Sequence, residues 1–239
     1  MTSRTCISLV LAIALAAAAH AAEPPRISPA TDTTAAGLVE IRTLSPRIEM
    51  DIRYAGANNF TAAPVPGYEA PACYLLAPVA KALAAVEVDL RAQGFGLRLY
   101  DCYRPVRAVQ AFMAWVSDPQ EQSRKALQYP DLDKPQLLSD GYIAERSGHS
   151  RGATVDLGLL DCRSGRCTPM DMGTDFDFFG PRAHTQTQTP GLNDAQKANR
   201  QQLVQAMARR GFANYAQEWW HYTLQPEPDP GTAYDVPVR

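Results

Sequence analysis

The spacing of apolar and polar positions along this chain switches several times between two periods. Apolar and charged residues alternate over Leu38-Val39-Glu40-Ile41-Arg42 and again from Ile48 to Tyr54, the period of a half-buried strand. Alternation returns in Leu97 to Tyr103, and strand-like runs follow at Ala153 to Leu159, Phe212 to Tyr215 and Trp219 to Leu224. Between them the period lengthens to that of a helix. Val79, Leu83, Val86 and Leu90 share one face of a helix that Pro78 opens and Gly94 ends, predicted over 78–93. A second helix starts at Pro105, carries Val106, Val109, Phe112, Met113 and Val116, and stops at Asp118-Pro119. A third begins at Asp194, lines one side with Asn199, Leu203, Ala206 and Met207, and ends at Gly211.

The intervening stretches have neither period. Residues 22–37 are small, polar and proline-bearing and read as a flexible lead-in. Residues 58–68 and 120–141 read as loops, the second with a short helical turn, and the proline-rich tail from Pro226 reads as a surface wrap. With no internal repeat and no linker, the pattern predicts one α+β domain over 38–239, helices packed on a mostly antiparallel sheet.

The first residues alter where this domain is expected to work. Arg4 precedes an apolar run from Cys6 to Leu15 and an alanine tract ending Ala19-His20-Ala21, the pattern of a cleavable signal peptide over 1–21. A membrane anchor is the rival, but roughly 14 apolar residues fall short of the about 20 that a bilayer requires. The expected location is periplasmic or secreted, with no stable membrane insertion after cleavage. A formal charge of -2 without any lysine or arginine run implies no field for nucleic acid. Export leaves Cys73, Cys102, Cys162 and Cys167 in an oxidising space, where three pairings are formally open. The expected pairs are Cys162–Cys167, across a short glycine-bearing loop, and Cys73–Cys102; a thiolate metal site is the weaker reading, since no CxxC occurs.

After the leader the chain holds three histidines, His149, His184 and His221. His149 lies in Ser147-Gly148-His149-Ser150-Arg151-Gly152, seven positions before Asp156, a carboxylate inside an apolar strand where a buried charge is costly without a cation or partner. His221 closes Glu218-Trp219-Trp220-His221. Two histidines and one carboxylate would give one Zn²⁺ three ligands and leave a fourth position for water. Glu218 is then the expected general base, although on a strand an E-x-x-H pair would need a kink to face one metal; otherwise it is a solvated strand carboxylate. Arg104, at the corner Asp101-Cys102-Tyr103-Arg104-Pro105, is placed to stabilise an oxyanion, or simply to form a salt bridge. His184 has no such neighbours and is assigned no direct role.

Ser147-x-His149-x-x-Gly152-x-x-x-Asp156 with Glu218-x-Trp220-His221 resembles the zinc D-alanyl-D-alanine dipeptidases, including the vancomycin-resistance type, of the D-Ala-D-Ala peptidase/hedgehog-like fold. The likeness extends through Asp51 to Tyr54, Asn59-Phe60-Thr61, Gly67-Tyr68, Tyr103-Arg104-Pro105 and Phe176-Asp177-Phe178. It implies that His149, Asp156 and His221 hold zinc, that Glu218 is the base and that Arg104 stabilises the transition state. It also implies that Ser147, Asp177 and Tyr54 hold a small D,D-dipeptide, with Asp177 on its ammonium, and that the role lies in wall-dipeptide turnover. The signal peptide and four cysteines depart from the cytoplasmic resistance-type enzymes. Two alternatives are a D,D- or L,D-carboxypeptidase acting on wall peptides and a non-catalytic zinc-bearing module that binds wall fragments. The oligomeric state is left open.

Overall fold

The computed structural model describes residues 24–186 and 188–239; the expected signal peptide, over 1–21, lies outside the described residues. The elements in order are β1 (Arg26–Ile27), β2 (Leu38–Glu40), β3 (Glu49–Met50), β4 (Tyr74–Leu76), α1 (Ala77–Arg91), β5 (Phe95–Asp101), α2 (Val106–Ser117), α3 (Lys125–Gln128), α4 (Lys134–Ser139), β6 (Thr154–Asp161), β7 (Thr168–Pro169), α5 (Asp194–Ala208), β8 (Phe212–Asn214), β9 (His221–Leu224) and β10 (Thr232–Ala233). The main sheet has strand order β3-β5-β6-β9-β8, with β7 on β6. It is mixed: β3 pairs parallel with β5, and the remaining pairs are antiparallel. The α+β architecture matches the expected one.

The core lies between this sheet and the long helices. Val79, Leu83, Val86 and Leu90 of α1 are fully buried, as are Leu97 and Leu99 of β5, Val155 and Leu157 of β6, and Leu203 and Met207 of α5. Pro78 stands in the first turn of α1 and Gly94, at φ 81°, follows its end. Asn193 caps α5 through a reciprocal bond with Gln196. In the middle of α5 the buried position belongs to Arg200 rather than Asn199. The Arg200 guanidinium donates to the carbonyls of Met172, His184 and Arg182, tying the 172–184 segment to the helix.

Three stretches without a period hold more structure than expected. Arg26 and Ile27 pair in parallel with Thr232 and Ala233, so the lead-in and the tail form one ladder, too short to give a periodic signal. The tail is also a core element, because Tyr234, Val236 and Val238 are buried in alternation and the Tyr103 hydroxyl bonds both the N–H and the C=O of Val236. The long loop contains α3 and α4, which bury Tyr129 and Leu137. The strand expected over 48–54 shrinks to two residues, because the chain turns at Arg53–Ala55 and carries Tyr54 inward.

Both expected disulfides are formed, Cys73–Cys102 and Cys162–Cys167. The first joins the residue before β4 to the residue after β5, next to the site. Among the described residues no helix is long and apolar enough to cross a membrane.

Candidate active site

Three neighbouring strands carry polar side chains in a row across the sheet. His221 on β9 stands opposite Asp156 on β6, and directly opposed residues share a face with Cβ atoms about 4.5–5.5 Å apart. On the other side of β6, the partner of Asp156 is Asp101. That pairing depends on an irregularity in which β5 takes two steps, Leu99 to Asp101, while β6 takes one, Leu157 to Asp156. Plain alternation from Leu97 and Leu99 would send Asp101 to the apolar face; the bulge turns it toward the site.

His149 reaches this row from a tight helical turn, Gly148–Arg151. The Ser147 hydroxyl caps the turn by accepting the His149 N–H at 3.2 Å. Gly152 closes it at φ 67°, where a side chain would be strained and its Cβ would stand 2.8 Å from Leu38. The strand expected from Trp219 begins only at His221. Glu218 therefore lies in the turn between β8 and β9, which Asn214 fastens by donating to the carbonyls of Glu218 and His221. This turn is the kink that an E-x-x-H pair needs in order to face one centre, and Glu218 Oε2 lies 3.4 Å from His221 Nδ1.

The donor atoms fit a metal. His149 Nε2 is 3.3 Å from His221 Nδ1 and 3.2 Å from Asp156 Oδ2, and His221 Nδ1 is 3.1 Å from Asp156 Oδ1. One donor atom from each of the three residues lies within 4.8 Å of the others, close enough for all three to converge on a single ion. Asp156 Oδ1 is buried and receives no hydrogen bond, leaving its lone pairs for a cation. His149 Nδ1 lies 2.6 Å from the Cys102 carbonyl, which can only accept. The proton is thereby placed on Nδ1, and the Nε2 lone pair is free on the metal side.

Arg104 is fixed beside this group. Its Nε and Nη2 each lie 2.9 Å from Asp101 Oδ2, and Nη2 is 3.7 Å from Asp156 Oδ2. The guanidinium packs over the rings of Tyr54 and Phe112, 5.2 and 5.0 Å from their centres. Burial works against its charge, but nearby acidic groups, Asp101 foremost, hold its pKa well above the usual value. The fully buried Asp101 also accepts from the Tyr68 hydroxyl at 2.6 Å and approaches His149 Nδ1 at 3.4 Å.

The remaining carboxylates are tuned differently. Burial opposes ionisation of Asp156, yet the imidazoles of His149 and His221 outweigh it and hold the carboxyl well below the ordinary range. Burial pushes Glu218 up to about 7, with His221 and Arg104 offsetting only part of the rise. Asp177 is pushed well above the carboxylate range by burial and then by Asp156, although the Tyr54 hydroxyl donates to its two oxygens at 3.1 and 3.0 Å. Asp177 also has φ 60°, a left-handed conformation uncommon outside glycine, which occurs here in the wall of the cleft.

All eight candidate residues, Tyr54, Arg104, Ser147, His149, Asp156, Asp177, Glu218 and His221, line one half-open cavity of about 200 Å³. That is smaller than the roughly 300–1,000 Å³ of pockets for drug-sized ligands. His184 stays outside it, bonded to the Tyr142 hydroxyl at 3.0 Å. Sequence reasoning missed Asp101, Tyr68 and the Cys102 carbonyl.

A family model described as D-ala-D-ala dipeptidase matches residues 34–239. The chain belongs to this family. It is 40% identical over 192 residues to a D-alanyl-D-alanine dipeptidase of Enterococcus faecium, and 42% identical over 191 residues to one of Streptomyces coelicolor; each alignment covers 80% of this chain and 93% of the relative. A D-alanyl-D-alanine dipeptidase of Escherichia coli is 33% identical over 194 residues, 81% of this chain and 86% of that protein. The D-Ala-D-Ala dipeptidase family match spans every residue of the cleft.

Proposed function

We propose that this protein is a zinc-dependent dipeptidase that hydrolyses D-alanyl-D-alanine to two D-alanines outside the cytoplasm, in turnover of wall-derived dipeptide. The observation that carries this reading is the meeting, in one small cavity, of a His-Asp-His donor triad whose ligand atoms lie within 4.8 Å of one another, a carboxyl near neutrality and a second buried carboxyl at the wall. The activity for which the relatives are named agrees with it, and the leader pattern together with two disulfides supports export.

His149, Asp156 and His221 would hold the metal. When bound, Zn²⁺ supplies a Lewis acid that polarises the scissile carbonyl and acidifies water. Glu218, with a pKa near 7, takes a proton from the attacking water and returns it to the departing amine as the C–N bond breaks. Arg104 offers its fixed charge to the oxyanion that develops on the carbonyl oxygen. Asp177, steadied by Tyr54, receives the substrate ammonium, and Ser147 contacts the substrate from the turn that carries His149. A wall-fragment binding module would need neither the base nor the buried guanidinium.

The test is D-alanine release by zinc-loaded wild type and by Glu218→Ala, with metal content measured in both. Loss of about 10²–10⁴-fold in kcat with zinc retained is expected; unchanged turnover would overturn the role of Glu218. An N-acylated dipeptide should be cleaved poorly, whereas equal cleavage would favour a carboxypeptidase.

A further inference from the structure

A dipeptide brings two charges into the cleft, and the groups above account for only one of them. Its ammonium has Asp177. Its carboxylate finds no positive partner in Asp156, Asp177 or Glu218, and a cation is the group suited to it. Two arginines line the cavity, Arg104 and Arg146. Arg104 already has the oxyanion of the scissile carbonyl to serve, and its Nε and Nη2 both bear on Asp101 Oδ2 while the guanidinium packs against the rings of Tyr54 and Phe112. Arg146 is exposed and, among the described residues, forms no hydrogen bond or ion pair. Arg146 and Ser147 stand where the cleft meets an adjoining apolar cavity, which they share with Val106 and Val109, whereas the neighbouring Glu145 lines only that second cavity.

Resting on the dipeptidase reading, we propose that Arg146 binds the carboxylate terminus of the substrate. It precedes Ser147 and lies three positions before His149, and it lines the same small cavity as the donor triad that would face the scissile carbonyl. A guanidinium is suited to the task because its fork can bond both carboxylate oxygens. Being at the open side of the cleft, the pair is hydrated, so its effect is on substrate binding and is moderate.

The test compares wild type, Arg146→Ala and Arg146→Lys on D-alanyl-D-alanine and on its carboxyl-terminal amide. Arg146→Ala should raise KM for the dipeptide about two- to fivefold with kcat little changed, and lysine should recover part of the loss. On the neutral amide, wild type and Arg146→Ala should have nearly equal KM. The wild-type advantage on the dipeptide should also shrink as salt is raised. An unchanged KM for the dipeptide, or the same penalty on both substrates, would overturn the assignment of Arg146 while leaving the dipeptidase reading intact. A zinc-loaded wild type that cleaves neither substrate would instead refute the dipeptidase reading, and the proposal with it.

Discussion

Asp101→Asn is expected to lower folding stability by about 3 kcal/mol, although the substitution barely changes volume. The Asp101 carboxylate is fully buried and, among the described residues, is the only ion-pair partner within 3 Å of the Arg104 guanidinium, which is itself 13% exposed. Burial raises the Asp101 carboxyl above its ordinary range, with Arg104 offsetting part of the rise. The cost arises because removing one member strands the other: breaking a buried ion pair costs about 3–5 kcal/mol. The lower end applies here because an amide oxygen can still accept one of the bonds now made by Arg104 and by Tyr68 at 2.6 Å. For a chain of this size the loss corresponds to about 6–12 °C in Tm. The assay is urea denaturation in the presence of a chelator, so that altered metal affinity through His149 does not contribute. It is repeated for Arg104→Met and for the double variant. The double variant should recover about 2 kcal/mol relative to the sum of the singles, because no charge is left stranded. A single-variant loss below about 1 kcal/mol, or additivity of the two losses, would refute the stranded-charge reasoning.

Four further outcomes can be checked. Tyr54→Phe removes the hydroxyl that favours the charged form of Asp177, so the Asp177 pKa rises further and the acid limb of kcat/KM should move to higher pH; a limb at unchanged or lower pH would contradict this. Calorimetry should find zinc-loaded protein about 8–16 °C more stable than chelated protein at 1,000 Kd of free metal, and no difference would argue against the donor triad. Gly152→Ala places a Cβ at φ 67° and 2.8 Å from Leu38, and equilibrium unfolding should show about 2 kcal/mol of lost stability. The Cys73→Ser, Cys102→Ser variant opens a loop of sequence separation 29 and should lose roughly 3.5 kcal/mol by the chain-entropy relation, while a loss under about 1 kcal/mol would show that the unfolded chain is already constrained there.

The long elements were legible because each repeats its signal several times. Four apolar residues on one face, with Pro78 and Gly94 at the ends, are enough to define α1, and Leu203, Ala206 and Met207 before Gly211 do the same for α5. The two-residue ladder of Arg26 and Ile27 with Thr232 and Ala233 repeats nothing, so composition alone spoke for those residues and indicated a lead-in and a tail. Tyr234, Val236 and Val238 do recur at intervals of two, separated by Asp235 and Pro237, and that signal could have outweighed the prolines.

The site divides along a similar line. Asp156 could be singled out because it interrupts an apolar strand, a position that demands a partner. Asp101 satisfies the same criterion, following Leu97 and Leu99 at intervals of two, and by that count it belongs to the apolar face. What removes it from that face is the extra residue by which β5 bulges against β6. A bulge has no residue signature of its own, since it is a property of two strands in register. The same step that hides Asp101 from a one-dimensional reading sets it opposite Asp156, within reach of Arg104, Tyr68 and His149. The residues that would touch the metal or the substrate were therefore open to recognition by type and spacing, whereas the carboxylate that orients two of them became visible only once the strands were paired.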